Sequence, residues 1–248
     1  MKALLFAAGR GERMRPLTDA TPKPLLKVGG KRLIEWHLER LVATGIRDVV
    51  INIAYLGDRI ATTLGDGERY GVHITYSREG AAPLETGGGM LHALPLLGNA
   101  PFLAINADIF CDFDSTQMAS EPHGVANLVL VANPPQHPQG DFGIGAAGQL
   151  LSTPDSPGAT HALTFAGIGM YRPDILHDWR ATIGNTAGAA QTPPQFPLAP
   201  LLRAAITRGA IGWREHTGVW TDVGTPARLA ALDAQLRKRH PPSLAKED

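Results

Sequence analysis

One cysteine, Cys111, occurs in the 248 residues. A single thiol forms no internal disulfide and no thiolate metal cluster, and it is expected to pack as a small buried apolar side chain. Long apolar runs are missing as well. The longest near the start, residues 3–8, ends at Gly9 and Arg10, too short for a membrane span or a signal peptide's hydrophobic region. This implies a cytoplasmic protein with no membrane partner. Nor is either charge in excess, with 23 basic and 23 acidic residues, so there is no basic field of the kind that grips nucleic acid. Any phosphate has to be held by local charge. Nine histidines show no HExxH or other short ligand spacing and read as incidental, and the absence of a GxSxG elbow leaves serine hydrolase chemistry without support.

What the chain does have is concentrated in residues 5–25, LFAAGRGERMRPLTDATPKPL. An apolar strand runs into a loop where Gly9 and Gly11 let the backbone turn sharply and bring amide hydrogens against an anion. Arg13 offers a flat fork for phosphate oxygens and Lys23 a compact point charge, so the two can hold different phosphoryl groups. Better-known glycine loops do not fit. A dinucleotide fingerprint needs a third glycine where this chain has Met14, and a Walker loop needs Gly-Lys-Ser/Thr. A plain surface loop with solvated cations would explain any one of these elements. Strand, glycines, both cations and the Pro22-Lys23-Pro24-Leu25 exit in register exceed it.

Short β-branched runs alternate with amphipathic segments through the first half, the pattern of a parallel sheet with crossover helices. Strands are predicted at residues 2–8, 48–54, 73–77 and 102–106, and helices at 58–64, 87–97 and 33–44, where Ile34, Leu38, Leu41 and Val42 recur ahead of Gly45. Residues 137–160 read as loops with short strands, 163–171 as a strand, 184–200 as an irregular excursion with four prolines, and 198–208 as a helix. Thr225 can cap a last helix, with Pro226 at its first position and Leu229, Leu232 and Leu236 along one stripe. The expected class is α/β, a doubly wound, mostly parallel, Rossmann-like sheet with a small β-rich elaboration. One domain over residues 1–240 and a disordered tail at 241–248 are expected. Ligands of such sheets sit beyond the carboxyl ends of strands, where both the glycine loop and Asp108 fall.

The order Ala8-Gly9-x-Gly11-x-Arg13-Met14-x-Pro16-Leu17-Thr18, followed by Pro22-Lys23-Pro24-Leu25, resembles the opening motif of the sugar-1-phosphate nucleotidylyltransferases. Phe102-Leu-Ala-Ile-Asn-Ala-Asp108 and Val219-Trp-Thr-Asp222-Val-Gly-Thr225 resemble that family's two metal-binding contexts. The resemblance extends over nearly the whole chain. It implies a nucleotide-binding half at about residues 1–115 and a sugar-binding half at about 116–240. It also implies Arg13, Lys23, Asp108 and Asp222 as catalytic residues, with the two aspartates holding Mg²⁺. Either aspartate alone would equally be a loop residue capping a helix. Ala8, Gly9 and Gly11 are implied for nucleoside and phosphate. Gly87 and Gly88, in PLETGGG at 83–89, are implied for the nucleobase, although a glycine-rich helix start packed on the sheet explains each as well. Phe142-Gly143-Ile144 and Phe165-Ala166-Gly167-Ile168-Gly169 resemble strands that line the sugar pocket, making Gly143 and Gly167 candidates beside ordinary tight strand packing.

Many hexose-1-phosphate members carry Glu-Lys-Pro between those two strands, where this chain has LSTPDSPG at 151–158. That departure counts against plain glucose or mannose. The compact length, the LETGGG loop and the DFG and TFAGIG strands look most like members that join UTP to N-acetylmuramic acid α-1-phosphate. Mannose-1-phosphate guanylyl transfer and glucose-1-phosphate thymidylyl transfer are rivals with the same chemistry. A nucleotide-sugar sensor is a rival of another class, one that could lose Arg13, Lys23 or either aspartate without harm. A dehydrogenase is opposed by the missing third glycine. With no added β-helix and no apolar excess, a monomer with small-molecule partners is expected.

Overall fold

The computed structural model describes residues 1–118 and 121–239, so the tail expected at 241–248 lies outside the described residues. Its strands are β1 (Lys2–Phe6), β2 (Lys27–Val28), β3 (Lys31–Arg32), β4 (Asp48–Ile53), β5 (His73–Arg78), β6 (Phe102–Asn106), β7 (Ile109–Cys111), β8 (Ala126–Val131), β9 (Phe142–Gly145), β10 (Leu150–Leu151), β11 (Ala159–Tyr171), β12 (Ile211–Glu215) and β13 (Trp220–Asp222). The helices are α1 (Leu17–Ala20), α2 (Leu33–Ala43), α3 (Gly57–Leu64), α4 (Glu85–Leu97), α5 (Trp179–Ile183), α6 (Ala199–Thr207) and α7 (Pro226–Arg239).

Strands β5, β4, β1 and β6 lie side by side and parallel; β1, β4 and β6 are the buried apolar runs, and β5 forms the more polar edge. The sheet then continues through the antiparallel β11. One stretch of β11 pairs with β9, which carries β10, and the rest pairs with β6 and with β8, which is parallel to β12. Helices α2 and α3 bury Ile34, Leu38, Leu41, Ile60 and Leu64 against one face. Helices α4 and α6 bury Met90, Ala93, Leu97, Leu201 and Leu202 against the other, so the sheet is wound on both sides.

Several boundaries move for identifiable reasons. Strand β1 stops at Phe6, because the Ala7 amide leaves the ladder for Asn52 Oδ1 at 2.7 Å, while the Phe6 carbonyl accepts from Ala107 N at 3.0 Å. Helix α4 starts at Glu85, two residues ahead of the expectation, and Glu85 adopts a left-handed φ of 61°. Strand β11 begins at Ala159 rather than 163, since its first residues find a ladder partner in β9. Strands β8 and β12 lie outside the predicted set.

A third apolar cluster, away from the two main ones, joins Met14, Leu26, Val28, Leu33, Trp36, Phe110, Val223, Leu232 and Leu236. Met14 and Val223 directly follow Arg13 and Asp222 in the chain, Phe110 lies two residues beyond Asp108, and Leu26 lies three beyond Lys23. Helix α7 closes the cluster from outside through the stripe expected from its leucines. Thr225 Oγ1 accepts the Arg228 amide at 3.3 Å, the cap that the sequence suggests.

Candidate active site

Because β1 and β6 pair in parallel with Phe6 opposite Asn106, the glycine loop and the Asp108 turn leave the sheet side by side. Between them opens a cavity of about 650 Å³, lined among others by Ala8, Gly9, Gly11, Arg13, Lys23 and Asp108. Six of the residues expected at the site thus share one wall. That volume falls in the range of small-molecule sites.

The loop is shaped by Gly11, whose φ of 65° is a left-handed conformation that favours glycine, and Thr18 Oγ1 donates to its carbonyl at 2.9 Å. Met14 donates its amide to the same carbonyl at 2.8 Å, making a tight turn that exposes Arg13 while Met14 plugs the apolar cluster below. Arg13 is exposed, lines the cavity and makes no ion pair among the described residues, which leaves its charge available to a ligand. A Cβ at Gly9 would meet nothing within 4 Å, which leaves that backbone open to a ligand.

Lys23 sits in a short turn flanked by Pro22 and Pro24, its side chain 8% exposed, and its Nζ donates to Asp108 Oδ2 at 2.6 Å. Asp108 itself remains 41% exposed toward the cavity. Asp222 arrives from the far end of the chain. Strand β13 pairs antiparallel with β7, setting Asp222 opposite Ile109, and Val223 donates its amide to the Asp108 carbonyl at 3.0 Å. Arg228 Nη2 approaches Asp222 Oδ2 at 3.3 Å.

Two part-exposed carboxylates on one ribbon are hard oxygen donors, and Mg²⁺ commonly takes one or two carboxylates with phosphates and waters. Among the described residues no group of three or more His, Cys, Asp or Glu could hold a metal by itself. The donor set therefore fits a cation shared with a phosphorylated ligand.

Gly87 and Gly88 lie beneath the wall rather than on it. Both amides donate to the Phe196 carbonyl at 3.0 Å, and a Cβ would run into the Phe196 ring at Gly87 and the Pro194 carbonyl at Gly88. From their loop, Pro83, Glu85 and Thr86 reach the cavity instead. Below them Asn52 Nδ2 donates to Glu79 Oε1 at 2.5 Å, and Leu84 N donates to Glu79 Oε2 at 2.7 Å. Burial holds the Glu79 carboxyl above its ordinary value despite these two hydrogen bonds.

A second chamber of about 160 Å³ adjoins the first and shares Phe6, Thr86 and Asn106 with it. Gly167 lines it at the bulge in β11, with φ 76°, where a Cβ would meet Asn106 Nδ2 at 2.8 Å. Gly143 does not line it; its amide donates to the Thr153 carbonyl at 3.1 Å, while its neighbours Asp141 and Phe142 form the wall. Sequence reasoning missed Arg203 on α6, which lines this chamber without an ion-pair partner among the described residues. It also missed Gly224, on the wall of the larger cavity. The position of Arg203 on an otherwise amphipathic helix carried no local signal; Gly224 stood in the quoted Asp222 segment.

A cavity at the strand ends of a mostly parallel sheet, lined by a glycine loop, Arg13, Lys23 and Asp108, with Asp222 on the adjoining ribbon but off the cavity's lining, is the arrangement of a phosphate-binding α/β protein. The chain belongs to the nucleotidyl transferase family, whose model matches residues 2–239. It is 48% identical over 239 residues to the N-acetylmuramate alpha-1-phosphate uridylyltransferase of Neisseria meningitidis, covering 94% of this chain and 97% of that protein. The enzyme of the same name from Caulobacter vibrioides is 33% identical over 246 residues, covering 94% and 96%. A crystal structure of a Bacillus anthracis protein to which glucose-1-phosphate thymidylyltransferase activity is ascribed, bound to sucrose, superposes with a TM-score of 0.77. That match has 23% identity over 96% of this chain and 95% of the other, and establishes the fold.

Proposed function

We propose that the protein transfers a uridylyl group from UTP to N-acetylmuramic acid α-1-phosphate, releasing pyrophosphate and forming UDP-N-acetylmuramic acid. The observation that carries the chemistry is the convergence of Arg13, Lys23 and Asp108 on one cavity, with Asp222 across a two-stranded ribbon from Ile109. The choice of substrates follows the two uridylyltransferase relatives.

A sugar 1-phosphate is mostly dianionic at neutral pH, its second pKa being about 6, so the attacking oxygen needs no general base. The obstacle is repulsion between polyanions. Two like charges roughly 4 Å apart at an effective dielectric near 20 repel by about 4 kcal/mol, and several such pairs meet here. Attack on the α-phosphorus in line with the departing pyrophosphate is then promoted by positioning and charge neutralisation. The uncommitted Arg13 guanidinium faces the pyrophosphate side, the glycine-loop amides cradle the triphosphate, and Lys23 orients the incoming phosphate while remaining anchored to Asp108. Asp108 and Asp222 would hold Mg²⁺, which supplies fixed positive charge at the phosphate oxygens.

In this reading the nucleotide occupies the larger cavity, built by about residues 1–115, and the sugar reaches the second chamber, built largely by about 116–240. N-acetylmuramic acid carries a lactyl carboxylate, and the unpaired Arg203 supports an anionic substituent in that chamber. A role in peptidoglycan recycling in the cytoplasm, as a monomer, belongs to the same proposal; no helix among the described residues is long and apolar enough to cross a membrane.

The test is pyrophosphate release with Mg²⁺, crossing UTP, dTTP, GTP, CTP and ATP against the 1-phosphates of N-acetylmuramic acid, N-acetylglucosamine, glucose and mannose. UTP with N-acetylmuramic acid 1-phosphate should dominate. A different dominant pair would keep the chemistry and replace the substrates, and silence throughout would favour a nucleotide-sugar sensor.

A further inference from the structure

We propose that His37 is a positioning residue for the Asp108 and Asp222 pair: its imidazole sets the register of the β7–β13 ribbon against α2. The inference rests on the reading of the two aspartates as the Mg²⁺ carboxylates.

His37 is 3% exposed, and its Nε2 lies 2.8 Å from the Ile109 carbonyl. A carbonyl only accepts, so Nε2 carries the hydrogen and donates it. Burial pushes the imidazole down to about 4, which leaves it neutral in ordinary buffers, and the carbonyl acceptor fixes its single proton on Nε2.

The acceptor is what gives this bond its meaning. Ile109 follows Asp108 in the chain and stands opposite Asp222 in the ladder, so it adjoins one carboxylate residue covalently and the other through strand pairing. Next along, Trp36 packs edge-on against Phe110 with ring centroids 5.5 Å apart. Such an apolar contact presses the ribbon onto the helix yet tolerates sliding along the strand. The directional His37 bond does not.

Helix α2 also registers the lysine. Leu33, its first residue, donates to the Leu26 carbonyl at 2.9 Å, and Leu26 donates to the Lys23 carbonyl at 3.1 Å. Both partners of the Lys23–Asp108 pair are thus indexed to one helix, the lysine through its N-terminus and the aspartate through His37. Satisfying a buried carbonyl would alone account for the hydrogen bond, so the test has to separate stability from metal geometry.

Mn²⁺ is titrated against the full-length protein in the presence of α,β-methylene-UTP, and binding is read from water-proton relaxation, with melting temperatures alongside. His37→Asn places its amide too far back to reach Ile109, His37→Leu keeps the site apolar without a donor, and His37→Gln restores a donor near the Nε2 position. Asn and Leu are expected to weaken Mn²⁺ binding by about tenfold or more, the scale on which residues behind metal ligands act, with Gln within about twofold of wild type. If Asn and Leu bind Mn²⁺ like wild type while only their melting temperatures fall, His37 is a structural histidine and the proposal is overturned. Asp108→Asn is run in parallel. Should it retain wild-type affinity, the metal reading itself fails and the role of His37 falls with it.

Discussion

Val223 donates its amide to the carbonyl of Asp108 at 3.0 Å, joining the residue after one aspartate to the backbone of the other. Residues more than a hundred positions apart in sequence thus share one backbone ribbon, on which Asp108 pairs with Lys23 and Asp222 with Arg228. Lys23 is tied to that ribbon through Asp108 Oδ2, so charge and counter-charge at the site are geometrically coupled.

Asp108→Asn and Asp222→Asn should each lower turnover by about a hundredfold or more while circular dichroism stays native. Only Asp108→Asn also uncouples Lys23. Lys23→Ala should raise KM for the sugar phosphate and lower kcat together, whereas a variant with unchanged constants would remove Lys23 from the proposed role. Steady-state kinetics with each substrate varied in turn make the comparison.

Gly224→Ala should impair activity without unfolding the protein. Its new methyl would collide with the Arg228 guanidinium and lie 3.1 Å from both Asp222 carboxylate oxygens, pushing their ion pair apart. A loss of about tenfold in kcat is expected, since small misplacements of reacting groups are costly. Normal kcat with a normal melt would show that Arg228 does not orient Asp222.

Glu79 predicts a pH effect on stability. Burial raises its folded-state pKa above the ordinary 4.5, so the native state retains the proton longer than the unfolded chain does. Stability therefore falls as pH rises from about 4.5 through the raised value, and the native state then carries the cost of an ionised buried carboxylate. Glu79→Gln should lose that slope, and it should also lose about 1–3 kcal/mol because its amide cannot accept both from Asn52 and from Leu84. Urea melts of both proteins between pH 4 and 8 provide the measurement; parallel pH profiles would contradict the assignment.

Arg203→Ala should act on substrate choice. KM for N-acetylmuramic acid 1-phosphate should rise by tenfold or more, about 1.4 kcal/mol, with little change for N-acetylglucosamine 1-phosphate, which lacks the carboxylate. Equal effects on both would place the anionic substituent elsewhere.

The parallel core strands, α2 and the cap of α7 were legible because each is written locally, in apolar runs, in helical spacing before Gly45 and in Thr225-Pro226. Arg13, Lys23, Asp108 and Asp222 came from motifs rather than from spacing, and the structure gathers their backbones around one cavity and ribbon. Strand β8 shows what stays hidden. Ala126–Val131 has a simple apolar run, but only its pairing with β11 and β12 makes it a central strand. The excursion at 184–200 was correctly irregular, yet nothing local announced that Phe196 would be buried under Gly87 and Gly88 with its carbonyl accepting both amides.

The apolar cluster under the four site residues is finished by the last helix, through Leu232 and Leu236. A chain shortened to end at residue 225 would keep every strand of the main sheet and the whole glycine loop. It would nonetheless take Leu232 and Leu236 out of the cluster that also holds Met14, Phe110 and Val223, and with them the packing beside Arg13, Asp108 and Asp222. Proteolytic trimming at this end should thus silence the molecule while leaving most of its secondary structure standing.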